Sequence, residues 1–284
     1  MHYCGRRFTE AEIDWIRQLL ATQPQLNRRR LSREVCEHLA WLRPDGRPKE
    51  MSCRVAMLRM EKDGLFTLPP PTKGRPAAFQ LTAKIAHATD EPLLVPEVDL
   101  SQITVDIAVR RNSALWNAYI HRYHYLGYQL IPGAQLRYFV RFAGEVIALL
   151  SFGASAWKTK PRDDVIGWTP EQRERNLHLV ANNSRFLILP WIHRKNLASC
   201  ILATISRRLP QDWHAVYAYS PVLLETFVEK PRFTGTCYKA ANWKYLGDTQ
   251  GRGKLDRYKL YDKPVKSVWI YPLANDFRAR LCNT

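Results

Sequence analysis

The chain has 284 residues, 46% of them hydrophobic, and 43 Lys and Arg against 26 Asp and Glu give a formal net charge of +17. Such a composition excludes a disordered chain and suffices for one large cored domain or two ordinary ones. No apolar run is long enough to span a bilayer, the start "MHYCGRRFTEAE" lacks a signal peptide's apolar segment, and no strongly basic amphipathic helix suits a membrane surface. The expectation is therefore a cytoplasmic protein without a membrane partner. The charge is uneven: residues 1–97 hold 16 basic and 12 acidic residues, a net of +4, whereas the remainder holds 27 and 14, a net of +13. Nucleic acid is the commonest partner of such a basic excess. Cys4, Cys36, Cys53, Cys200, Cys237 and Cys282 contain no C-x-x-C pair and fit neither a zinc ribbon nor a disulfide framework, so reduced thiols are expected.

The first helix is announced by its cap. Thr9 and Glu12 have capping-box spacing, Phe8 and Ile13 sit at the staple positions, and Ile13, Ile16, Leu19 and Leu20 form an apolar stripe. A second helix follows in "PQLNRRRLSREVCEHLAW", with Leu31, Val35 and Leu39 at four-residue steps. After the loop "RPDGRP", "KEMSCRVAMLRMEKDG" predicts a third helix with Met51, Val55 and Leu58 inward and Gly64 at its end. "LFTLPPP" then reads as a short strand. Three helices, a strand and a basic turn suggest a winged helix-turn-helix over residues 1–76. In that fold Ser52, Arg54 and Arg59 reach bases from the third helix, and Arg28, Arg29, Arg30 and Arg33 meet phosphates. The alternative is a three-helix protein-interaction module with solvated arginines.

Lys73-Gly74-Arg75-Pro76 resembles the core of a minor-groove hook, with a plain proline-rich linker as the alternative. Residues 77–98 read as a linker to a second domain over 99–284. There "NSALWNAYIHRYHYLG" predicts a helix with Leu115, Tyr119 and Tyr123 on one face, and "QLRYFVRFAGEVIALLSFGAS" predicts two strands joined at Ala143-Gly144. A polar helix within "DVIGWTPEQRERNLHLVANN", the strand "SRFLILP", the helix "NLASCILATISRRLPQDW" and the strands "HAVYAYSPVL" and "SVWIYPL" complete the order. The fold class expected is mixed α/β. This order resembles the acyltransferase fold of the GNAT superfamily, which holds a coenzyme A pyrophosphate through a glycine-rich turn. The corresponding turn here, Arg194-Lys195-Asn196-Leu197-Ala198-Ser199, is basic but has no glycine, which argues against coenzyme A.

Three segments carry a closer resemblance: "LLETFVEKPRFTGTCYKAANWKYLGDTQGRGK", "IGWTPEQRERNLHLVANNSRFLILPWI" and "NLASCIL". They resemble the DruA family, named after a component of the Druantia anti-phage defence systems and found also with mobile elements. The similarity runs from about residue 105 to 284. It implies action on DNA, in defence or in element movement, without implying a particular reaction.

Within the motif, Gly235 permits a turn that other residues would strain. Cys237 and Tyr238 are adjacent nucleophile candidates, and Arg232, Lys239 and Lys244 are placed to hold a phosphate and favour a thiolate. Asn242 suits a phosphate oxygen or a base edge, and Trp243 suits an unpaired base. "TQGRGK" offers open backbone amides beside Arg252 and Lys254. The alternative is that Cys237 and Trp243 are core and the loop is solvated. His121 and His124, three apart on a helix, complete the catalytic candidates as polar groups near a groove. Asp163 and Asp164 offer a magnesium site, against the commoner solvated loop. Three functions follow: a transposase-like strand-cleaving or strand-transferring enzyme, a non-catalytic DNA-binding component of a defence complex, or an acyltransferase acting on DNA or protein. Double- and single-stranded DNA are the expected partners, with room for a homodimer and for other defence proteins.

Overall fold

The computed structural model describes residues 1–71, 97–131, 133–251 and 264–283. It divides into two compact units, residues 1–80 and 81–284. The first opens with an antiparallel hairpin of β1 (His2–Tyr3) and β2 (Arg6–Arg7), then α1 (Glu10–Thr22), α2 (Arg28–His38) and α3 (Glu50–Lys62). The capping box of α1 is present: Glu12 N donates to Thr9 Oγ1 at 3.2 Å and Thr9 N to Glu12 Oε2 at 2.9 Å. Asn27 caps α2 through the amides of Arg29 and Arg30. Phe8, Ile13, Ile16, Leu31, Val35, Met57 and Met60 form the core.

Two expectations for this unit are corrected. In α3 the inward residues are Cys53, Ala56, Met57 and Met60, while Met51, Val55 and Leu58 are exposed. Apolar residues occur around most of this helix, so spacing does not choose a face; contact with α2, where Cys36 meets Cys53, does. Residues 65–71 form no strand, because three consecutive prolines supply no amide to a ladder. Glu61 Oε1 instead accepts from the Leu68 amide at 2.7 Å, and Leu68 is buried. Among the described residues there is therefore no wing after α3. Gly64 does follow the helix in the left-handed region, at φ 77°.

The second unit is a mixed α/β structure on a seven-stranded sheet. Its strands are β3 (Thr104–Ile107), β4 (Gln135–Phe142), β5 (Glu145–Ala154), β6 (Val180–Ile188), β7 (Leu223–Glu229), β8 (Lys244–Asp248) and β9 (Lys266–Pro272). They lie in the order β3-β4-β5-β6-β7-β9-β8. The β4–β5 hairpin turns at Ala143 and Gly144, both at positive φ, which matches the right-handed twist of the strands. Every pairing is antiparallel except β6–β7, whose parallel register needs a crossover, supplied by α7 (Leu197–Tyr217). The remaining helices are α4 (Ser113–Tyr123), α5 (Lys160–Ile166), α6 (Pro170–Asn176), α8 (Thr236–Ala240) and α9 (Phe277–Leu281). The strand period is visible in the packing: Leu224 joins the large core with Trp116, Tyr138 and Trp213, while its neighbour Leu223 joins a smaller one with Ile166, Trp168 and Phe277. No helix among the described residues is long and apolar enough to cross a membrane.

One feature of the sheet positions the site. Pairing of β6 with β7 runs only from Val180↔Leu223 to Asn183↔Thr226, although both strands continue. A register shift in β5–β6, between Ser151 and Phe152, adds Ser184 just beyond that point. The two central strands part there and leave a wedge.

Candidate functional site

The segment after β7 closes the wedge. Gly235, at φ 77°, leads into α8, and a Cβ on it would lie 2.8 Å from Trp269 Cζ2, so only glycine fits. Three residues on, Tyr238 is buried with its hydroxyl donating to Asn183 Oδ1 at 2.7 Å. Asn183 Nδ2 in turn donates to Ser151 O at 3.0 Å and Arg185 O at 3.1 Å, and Thr226 Oγ1 to Asn183 O at 3.1 Å. The Asn183 side chain thus ties β5, β6 and α8 together where the strands part, and its backbone carbonyl takes β7. Trp243 packs edge-on against Tyr238 at 5.1 Å.

The mouth of the wedge is basic and aromatic. Arg185, 9% exposed, donates from Nε to Gly127 O at 3.2 Å and from Nη1 to Ser184 O at 2.7 Å. Among the described residues it has no carboxylate partner. Tyr125 stacks on His124 at 4.9 Å, tilts against Phe233 at 5.4 Å and carries the Arg232 guanidinium over its ring at 4.7 Å. Burial and the nearby Glu229 push the Tyr125 phenol up, against the pull of Arg185 and Arg232. Burial first, and then the charge of Arg185, hold His124 down at about 4. Its Nδ1 accepts from Leu126 N at 3.2 Å, so the neutral ring carries its proton on Nε2. Beside the mouth runs an open groove of about 670 Å³, lined by Lys230, Phe233, Thr234, Lys239, Trp243, Tyr245, Ser267 and Trp269.

His124 gives the site a measurable signature. Its folded pKa of about 4 lies below the ordinary 6.5, so the stability tied to the neutral ring is complete above pH 6.5 and is lost as pH falls toward 4. The loss is on the order of 2 kcal/mol after allowance for screening at the partly exposed ring. An NMR titration should find this imidazole still neutral at pH 5; a midpoint near 6.5 would show that Arg185 and burial do not act on it.

The other candidates scatter. Cys237 is half-buried and burial pushes its thiol up, which reverses the expected thiolate; the peptide dipoles of its short helix do not offset the lost hydration. Tyr238 is shielded by burial, which raises its pKa as well. Trp243 is 3% exposed and packs in the core rather than offering a free stacking face. Asn242 is exposed at φ 63°, a left-handed position that asparagine tolerates. His121 is exposed on α4. Asp163 and Asp164 are taken by ion pairs: Asp163 Oδ1 lies 2.8 Å from Arg162 and its Oδ2 3.5 Å from Arg173, and Asp164 lies 2.7 Å from Lys160. A magnesium ion would have to displace those cations, which corrects the metal expectation.

Among the basic candidates, Arg232 and Lys239 reach the mouth and the groove, and Lys244 is exposed on β8. Arg194 pairs with Glu97, and Lys195 is exposed beside it. In the first unit Arg28 serves the fold, donating to Pro69 O and facing Glu61 at 3.7 Å. Arg29 lies 4.0 Å from Glu50 and Arg33 3.3 Å from Glu37, while Arg30 and Arg59 are exposed. Ser52 is half-buried, and Arg54 folds back on the Met51 sulfur rather than reaching outward. Lys73, Arg75, Arg252 and Lys254 lie outside the described residues.

Sequence reasoning missed Tyr125, Asn183, Arg185 and the buried pair Arg162–Glu225. The available signal was polarity within apolar strands: Asn-Asn-Ser-Arg inside "VANNSRFLILP" and a glutamate inside "LLETFVE". Burying such groups is costly unless each has a partner or a task.

Comparisons with known proteins bear on the same unit. Among solved structures, the ribosomal-protein-S18-alanine N-acetyltransferase from Escherichia coli matches at TM-score 0.39 and 12% identity, over 61% of this chain and 94% of that one. An N-acetyltransferase from Staphylococcus aureus Mu50 matches at TM-score 0.39 and 11% identity, over 61% and 99%. A GNAT-family acetyltransferase from Streptococcus pneumoniae does so at 0.39 and 9%, over 61% and 99%. A search of curated proteins finds no match. The profile described as "Druantia protein DruA" matches residues 80–264, which takes in β3 to β8, the wedge and the lining of the groove apart from Ser267 and Trp269. With more than half of its length matched, and with the resembling segments forming the wedge, this chain belongs to the DruA family.

Proposed function

We propose that this protein is a DNA-binding component of an anti-phage system of the kind its family is named for. Its second unit holds a strand along the wedge mouth and the adjoining groove. The observation that carries this is the meeting of Arg185 and Arg232, neither paired with a carboxylate among the described residues, with the exposed rings of Tyr125 and Phe233, and with Tyr245 farther along the groove. Guanidinium groups contact phosphates, and aromatic faces stack on unpaired bases without regard to sequence. The Lys239 ammonium in the groove makes no hydrogen bond or ion pair among the described residues and adds to the basic track. The exposed Arg30 and Arg59 give the three-helix unit a second surface for duplex DNA. Binding is favoured over strand cleavage because burial raises both Cys237 and Tyr238 and, among the described residues, no base is hydrogen-bonded to either.

Fluorescence anisotropy with single- and double-stranded oligonucleotides tests this. Affinity should fall steeply with salt, since each neutralised phosphate releases counterions; five contacts to a single strand give a slope of about −3.5 in log affinity against log salt. A slope near zero, or no binding at low salt, would overturn the assignment.

A further inference from the structure

We propose that Arg185, with Arg232, forms a receptor for one phosphate ester group at the mouth of the β6–β7 wedge. The inference rests on the DNA-binding reading for the source of that phosphate, but not for the receptor.

The argument begins with how this unit treats its other deeply buried arginine. Arg162, fully buried, is met by two carboxylates, Glu225 at 2.8 Å and Asp163 at 2.8 Å. Arg185 is 9% exposed and is met by none among the described residues. Among the described residues its only acceptors are the carbonyls of Gly127 and Ser184, which take Nε and Nη1. Nη2 makes no hydrogen bond, yet it is not among the enclosed unpartnered atoms, so this end of the fork opens to solvent. A buried cation whose free donors face outward is a cost to the fold unless an anion completes it.

What surrounds that open end selects the anion. His124 presents a neutral ring and so adds no charge. Arg232 lies over Tyr125, whose hydroxyl has no hydrogen-bond partner among the described residues and stands as a further donor. Arg185 Nη2, the Arg232 guanidinium and a phenol match a tetrahedral oxyanion, whose several oxygens accept charge-assisted hydrogen bonds from donors arriving on different sides. Glu229 bears on Tyr125, and this acidic neighbour disfavours a long run of anions at the mouth. One phosphate ester group is therefore the fitting ligand. A DNA backbone phosphate and a phosphate of coenzyme A share that chemistry.

The full-length protein and its Arg185→Met and Arg232→Gln variants should be tested with three probes: a short single-stranded oligonucleotide, inorganic phosphate and coenzyme A. Both variants should bind the oligonucleotide about tenfold more weakly or worse, the usual effect of losing a charge-assisted hydrogen bond. Inorganic phosphate should raise the Tm of the wild type and leave that of Arg185→Met unmoved. Unliganded Arg185→Met should melt at or above the wild-type temperature, since it removes an uncompensated buried charge. A variant that melts lower and still binds phosphate normally would make Arg185 structural and overturn the receptor. If Arg185→Met fails to fold, Arg232→Gln decides, because that side chain is exposed; unchanged phosphate and oligonucleotide binding in it would overturn the proposal. Arg185-dependent binding of coenzyme A, with no DNA binding by the wild type, would keep the receptor and remove the DNA reading. DNA binding that is the same in all three proteins would do the reverse.

Discussion

Replacing Arg162 by Met is expected to destabilise the second unit by about 3–5 kcal/mol, the range for stripping one partner from a buried ion pair. Arg162 and Glu225 are both fully buried. Glu225 Oε2 accepts from Arg162 Nη1 at 2.8 Å, and its Oε1 accepts from Ala156 N at 2.9 Å. Arg162 Nη1 also holds Ala156 O at 2.8 Å, and its Nε and Nη2 hold Asp163. The guanidinium thereby clamps the chain leaving β5, and the start of α5, to β7. Burial already pushes the Glu225 carboxyl up against the pull of Arg162. Without that cation the carboxylate is stranded at the centre of the sheet. Chemical denaturation should show the loss directly. Arg162→Met combined with Glu225→Leu should recover a large part of it, because an apolar pair leaves no stranded charge. If the single and double variants are equally unstable, the ion pair is not what the clamp depends on.

Gly235→Ala should cost about 2–4 kcal/mol, the sum of a left-handed residue acquiring a Cβ and an overpacked contact. The new methyl would lie 2.8 Å from Trp269 Cζ2 and 2.9 Å from Cε2, and the indole is held by its Nε1 donating to Ser267 Oγ at 2.9 Å. The strain would move α8 and with it Tyr238, which α8 delivers to Asn183. DNA affinity should therefore fall together with stability. Trp269→Phe in the same chain removes the contact but not the φ strain. Denaturation midpoints should show about half the loss restored. No restoration would assign the whole effect to the backbone.

Much of this protein could be read before its fold was known. The capping box at Thr9, the turn at Ala143-Gly144 and the glycine after α3 follow from interactions spanning a few residues, the mixed α/β class from the alternation of patterns, and the family from resemblance of whole segments. What escaped was everything decided across the chain. The third helix carries apolar residues on most sides, so only α2 could select Met57 and Met60 over Val55 and Leu58. The motif around Cys237 reads as chemistry in one dimension, but Tyr238 is spent on Asn183, 55 residues away, and Trp243 on the core. Glu225 meets its cation 63 residues away, and Arg185 shows its want of one only when every neighbour is in place. Residue type and spacing determine backbone hydrogen bonds and turns, because those close within about four residues. Whether a thiol, a phenol or a guanidinium is solvated, shielded or paired depends on the dielectric and the charges brought to it by distant strands, and that only the tertiary structure decided.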